Sequence, residues 1–151
     1  MTTDVHRSAV YSAEDQWSAL MDRGGRIDFF GTTLDIPMQL RFGDVAAMQA
    51  YVDSLHEDAP RVRIRKGQSR AHYEPRELVI AIPMESGWAA RESVLLHELA
   101  HHRAYQDSGE LTHGSSFTLH MLGLVDQRLG SAAALILRTG YFEAGASVEP
   151  S

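Results

Sequence analysis

Five of the eight histidines in this chain, His97, His101, His102, His113 and His120, fall within one stretch of 24 residues, and the chain has no cysteine. Any metal site must therefore be built from nitrogen and oxygen donors. The sharpest pattern in the stretch is His97-Glu98-Leu99-Ala100-His101. On a helix, residues i and i+4 sit one above the other, so both imidazoles can turn to one Zn2+ at about 2.0–2.1 Å. Glu98 is rotated around the helix from His97, which leaves it free to act as general base toward a metal-activated water. His113, in Thr112-His-Gly-Ser-Ser-Phe117, offers a third ligand after an intervening loop. Three histidines and a water make the tetrahedral open site of a catalytic zinc. Neutral ligands leave the ion its full double charge, which favours hydroxide near neutral pH.

The neighbouring groups divide between chemistry and packing. His102 points about 100° away from His101 and reads as a surface or packing residue. His120, near two turns beyond His113, reads as a helix-face histidine. Alternatively it lines the cleft and stabilises the oxyanion, a role for which Tyr105 and Tyr141 are the phenolic candidates. Asp107 has the third-ligand spacing of a longer HExxHxxGxxD pattern, but Ala104 stands where that pattern has glycine. The helix should run on and carry Asp107 away, which makes it the lesser alternative ligand. Glu92, Glu110 and Asp126 are candidates to orient an imidazole N–H, and spacing does not choose among them.

These residues need a scaffold, and 151 residues with 44% hydrophobic content suffice for one domain that folds without staples. Ser12-Ala-Glu-Asp15 resembles a capping box ahead of a helix carrying Trp17, Leu20 and Met21, which Gly24-Gly25 ends. A small hairpin follows, Ile27 and Phe29, then Leu34 and Ile36, alternating around Gly31–Thr33. Asp44 caps a second helix bearing Val45, Met48, Val52 and Leu55. Strands are expected over Arg61–Lys66, Ala71–Tyr73 and Leu78–Ile82, with a turn at Gly67–Ser69. Long helices follow from about Ala89 to Gln106 and from Ser115 to Leu129, then a short one ending near Gly140. Helices flanking a small, mostly antiparallel sheet make this an α+β fold. Residues 1–143 read as one domain and 144–151 as a flexible tail.

A net charge of −6 argues against a domain devoted to nucleic acid. The one basic cluster is Arg61, Arg63, Arg65, Lys66 and Arg70. It reads first as the solvated face of an edge strand, and otherwise as a contact for an acidic partner or a nucleic-acid backbone. No segment approaches 18 consecutive apolar residues and none has signal-peptide character, so the expectation is a cytoplasmic protein without membrane contact.

The stretch HELAHH (97–102) followed by HGSSF (113–117) resembles the SprT-like metalloproteases, in which HExxH is followed by a loop and an HGxxF-type third histidine. AVYSAED (9–15), FFGTTLDIP (29–37), RFGDVAAMQAYVD (41–53), AHYEP (71–75), IAIP (80–83) and VLLHELAHH (94–102) add a resemblance to a family of small actinobacterial metallohydrolases of unassigned substrate. The resemblance runs from about Arg7 to Leu129. It implies a minimal zincin-like fold with HExxH on a long central helix, ligands His97, His101 and His113, and Glu98 as acid/base. The expected function is a zinc-dependent metallohydrolase, a peptidase acting on a peptide or protein that adds to the sheet edge. Two alternatives stand beside it. One is a non-catalytic interaction protein whose zinc staples two helices, closed by a fourth ligand from Asp107, Glu110 or His120. The other is a regulatory or DNA-associated protease. Retention of Glu98 favours catalysis, because a staple has no use for a base.

Overall fold

A computed structural model describes residues 3–67 and 70–150; Gln68 and Ser69 of the expected turn after Lys66 lie outside the described residues. The first helix, α1 (Arg7–Arg23), starts well before the Ser12–Asp15 capping pattern, with His6 at its N-cap. The reason is the apolar stripe Val10, Ala13, Trp17 and Met21, which is buried along its whole length and begins earlier than the capping signal. Glu14 therefore lies on the buried face of the helix and not at its entrance. At Gly24 the chain turns with φ +63, and a Cβ there would stand 2.8 Å from the backbone nitrogen of Met38, so only glycine fits.

Strands β1 (Gly25–Phe29) and β2 (Thr32–Ile36) form the antiparallel hairpin. Its turn is Phe30-Gly31, both at positive φ, and not Gly31–Thr33 as the alternation suggested. Two left-handed residues match the twist of the paired strands, which is why this tight turn is preferred over a longer one. Helix α2 (Val45–Leu55) is capped as expected, the Asp44 carboxylate accepting from the Ala47 N–H at 2.8 Å.

The second sheet has the order β3-β5-β4, from β3 (Arg61–Ile64), β4 (His72–Glu74) and β5 (Val79–Ile82). The chain passes from β3 to the far edge and then fills the middle, so β5 is antiparallel to β4 and parallel to β3. All four residues of β5 are buried, as a central strand requires. Pairing is thus mostly antiparallel, and β4 is an edge strand.

A short 3-10 turn over Gly87–Ala90 leads into α3 (Glu92–Ser108), followed by α4 (Ser115–Leu129) and α5 (Ser131–Ala144). Helix α3 is central: it packs on α4 and on the sheet, α4 packs on α5, and α5 packs on α1. Its residues are buried nearly all round, which removes the one-sided polarity a surface helix would show. Gly109, left-handed at φ 76, ends it. At its start, Glu92 accepts from the Leu40 N–H at 2.8 Å and from the Tyr51 hydroxyl, tying α2 and the Gln39–Arg41 segment to the helix N-terminus. Helix α5 runs through Gly140, where a Cβ would lie 3.7 Å from the Ala13 Cβ, an approach that lets α5 lie close on α1. The segment expected to fray instead packs. Ala146 and Val148 are buried, and the Thr118 hydroxyl donates to the Ser147 carbonyl at 2.6 Å.

Candidate metal centre

His97 and His101 lie one turn apart on α3, and His113 stands just before α4, which packs alongside. All three are buried. His113 Nε2 is 3.1 Å from His101 Nε2 and 3.3 Å from His97 Nε2. Among the described residues these three form the one group of ligand-type side chains close enough to share a cation. Phe117, one turn beyond His113, packs its ring against all three imidazoles at centroid distances of 4.5–4.9 Å.

On two of the three rings the other nitrogen is held by a carboxylate. His97 Nδ1 donates to Glu14 Oε1 at 2.7 Å, and the Tyr141 hydroxyl donates to Glu14 Oε2 at 2.6 Å. His113 Nδ1 donates to Asp4 Oδ2 at 2.6 Å, and the His113 backbone N–H donates to Asp4 Oδ1 at 3.1 Å. With Nδ1 committed as donor, the neutral forms of His97 and His113 present an Nε2 lone pair inward, toward Nε2 of His101. Lone pairs this close repel unless a positive charge lies among them. Ligand nitrogens at tetrahedral corners around zinc are about 3.3 Å apart, close to the observed separations. The donor set fits a borderline divalent cation.

The electrostatics point the same way. Burial pulls His97 down, but the carboxylates of Glu14 and Glu98 outweigh it and hold the ring up at about 9. Burial and the neighbouring His97 and His113 push His101 well below its ordinary range. Burial and His97 also lower His113, against the pull of Asp4. The trio favours one positive charge and resists a second proton. Burial raises Glu98, with Glu14 adding to the effect and His97 opposing it.

Two cavities open beside the trio. One of about 270 Å³ is lined by Tyr11, Trp88, Val94, His97 and Glu98 among others, and one of about 210 Å³ by His72, Tyr73, Glu98, His101 and Leu111 among others. Tyr11, Ala71 and Glu98 line both. The Tyr11 ring stacks on His97 at 5.3 Å and 20°, and touches His113 at 5.1 Å. Burial and the Glu98 carboxylate push its hydroxyl up to about 12, so it stays protonated.

The remaining expected residues lie elsewhere. Asp107, on α3 where it continues past Ala104, is exposed and pairs with His120 of α4 at 3.3 Å, and neither belongs to the group formed by His97, His101 and His113. Neither residue lines the two cavities. Tyr141 is buried behind Glu14, and Tyr105 packs against Tyr73 at 6.3 Å and lines neither cavity. His102 is buried, not a surface residue: its Nδ1 meets the Tyr73 hydroxyl at 2.8 Å, and its ring packs against His56 at 4.9 Å. Glu110 accepts from the Thr112 hydroxyl at 2.8 Å, and Asp126 is exposed on α4. The basic cluster is divided, with Arg63 on Glu74, Arg65 on the Arg70 carbonyl, and Arg70 over the Tyr11 ring.

The groups that do orient the imidazoles, Glu14 and Asp4, were not singled out from sequence, nor was Tyr11. Glu14 carried a usable signal, a carboxylate on an apolar helical stripe that burial obliges to find a partner. Asp4 and Tyr11 carried none. No helix among the described residues is long and apolar enough to cross a membrane. The sequence model of the SprT-like family matches residues 48–135, from α2 into α5 and more than half of the chain. No curated protein and no solved structure matches.

Proposed function

The chain belongs to the SprT-like family, associated with metalloprotease activity, and on that premise we propose that it is a zinc-dependent peptidase with ligands His97, His101 and His113 and general base Glu98. The observation that carries this reading is the convergence of three Nε2 atoms, two of them on rings whose Nδ1 is clamped by a carboxylate. Zinc bound there would supply Lewis-acid chemistry, polarising a carbonyl and lowering the pKa of water. No fourth protein ligand joins the three among the described residues, which supports an open site over a closed structural staple.

Glu98 follows His97 on α3, is buried, and lines both cavities. A carboxylate so desolvated holds a proton more firmly than one in water. That suits a group which takes a proton from the attacking water and hands it to the leaving amine. The edge strand β4 and Ala71 before it border the cavities, so an extended peptide pairing with that edge would carry its carbonyl past Glu98.

The test compares zinc content and hydrolysis of fluorescein-labelled casein for the wild type, Glu98→Gln, His113→Ala and Asp107→Ala. Glu98→Gln should keep its zinc and lose activity by at least about 100-fold. His113→Ala should lose zinc, and Asp107→Ala should match the wild type. Zinc retained in His113→Ala but lost in Asp107→Ala would overturn the ligand set. Equal hydrolysis by Glu98→Gln and the wild type would overturn the role of the base.

A further inference from the structure

We propose that the Tyr11 hydroxyl donates the hydrogen bond that stabilises the substrate oxyanion in this site. The inference rests on the peptidase reading above and adds a residue from α1, a helix outside the family-matched stretch 48–135. Tyr11 and Glu14 are one turn apart on α1. The same helix therefore clamps His97 from behind through Glu14 and lays Tyr11 against its ring.

Of the three residues lining both cavities, Ala71 has no polar side chain and Glu98 is the base. Tyr11 is the remaining donor. The other tyrosines are spent or misplaced: Tyr51 on Glu92, Tyr73 on His102, Tyr141 on Glu14, and Tyr105 outside both cavities. The Tyr11 hydroxyl has no hydrogen-bond partner among the described residues, and the Arg70 guanidinium lies 4.3 Å from its ring centroid, which steadies the ring.

In the step this serves, the water oxygen bonds to the carbonyl carbon while a water proton passes to Glu98. The carbonyl π pair moves onto oxygen, where the Tyr11 O–H donates to it without giving up its proton. On collapse the carbonyl re-forms, the C–N bond breaks, and the proton on Glu98 goes to the amine nitrogen. Donors placed for the charged oxygen act on the transition state more than on the bound substrate.

The experiment uses zinc-loaded wild type, Tyr11→Phe and Glu98→Gln with two readouts. The first is kcat and KM on a peptide spanning one cleavage site mapped in casein. Tyr11→Phe should lower kcat about 100-fold, with KM within about twofold and zinc content unchanged. The second is calorimetric titration with a phosphinic tripeptide, a tetrahedral anion, whose Kd should rise by a similar factor while that of acetohydroxamate stays constant. An unchanged kcat and phosphinate Kd overturns the proposal. So does a KM effect alone, or loss of zinc, which would make Tyr11 a packing residue on His97. If the wild type cleaves nothing and matches Glu98→Gln, the peptidase reading has failed. The phosphinate titration then still decides on Tyr11, and equal affinity for wild type and Tyr11→Phe overturns its role.

Discussion

Replacing Glu14 with glutamine should weaken zinc binding about tenfold while leaving the fold nearly as stable as before. Glu14 is buried and accepts two hydrogen bonds, from His97 Nδ1 at 2.7 Å and from the Tyr141 hydroxyl at 2.6 Å. Removing the outer partner of a ligating histidine costs about 10–100-fold in metal affinity, or about 1.4–2.7 kcal/mol. Glutamine keeps the shape and one acceptor oxygen, and the Tyr141 hydroxyl can rotate to accept from its amide. Only the charge leaves, which places the effect at the lower end. Alanine is a different experiment. It strands the His97 N–H and the Tyr141 hydroxyl in the core at about 1–3 kcal/mol each, against a total stability of about 5–15 kcal/mol. Glu14→Ala therefore reports on folding and Glu14→Gln on the metal. Affinity is read by competition with a chromophoric zinc chelator, alongside urea melts in EDTA. Because Glu14 also favours the proton that the metal displaces from His97, held at about 9, the titration is run at pH 9. Wild-type zinc affinity in Glu14→Gln would refute the clamp. Complete loss of zinc would refute it too, by making Glu14 a ligand.

Two further outcomes test other parts of the site. Asp4 is only partly buried, so water can replace it on His113; Asp4→Ala should weaken zinc less than Glu14→Gln does, by roughly tenfold at most, and a larger loss would refute the ranking by burial. Burial first, then His56, pulls His102 down to about 4, so an unfolded chain with an ordinary histidine binds more protons between about pH 6.5 and 4. Stability should therefore be lost as pH falls through that window, and His102→Asn, which can still meet the Tyr73 hydroxyl, should flatten the slope in urea melts. An unchanged slope would place the acid sensitivity elsewhere.

The parts of the molecule legible from sequence are those written in local repeats. His97, Glu98 and His101 share a turn of one helix, so spacing alone brings two imidazoles together with a carboxylate beside them. Asp44 reaches a backbone N–H three residues away, and the apolar run expected as a strand over Leu78–Ile82 forms one over Val79–Ile82. Errors arose where a local rule met a distant contact. Ser12–Asp15 looked like a cap because its residue types fit one, yet the stripe from Val10 to Met21 had already begun the helix. The C-terminal segment looked loose because it is short and poor in apolar groups, yet Ala146 and Val148 find cover in the core.

Composition and spacing by themselves determined the chemistry on offer: no thiolate, a helix bearing two histidines and a glutamate beside them, and a third histidine one loop away. Tertiary structure decided which groups serve it. Glu14 meets His97 across 83 residues of chain and Asp4 meets His113 across 109, while Tyr11 stacks on the His97 ring from the same helix that carries Glu14. Helical spacing constrains a residue against its neighbours three and four positions away and says nothing about a partner this distant. Only the packing of α1 on α5, and of α4 on α3, brings those side chains to the histidine trio.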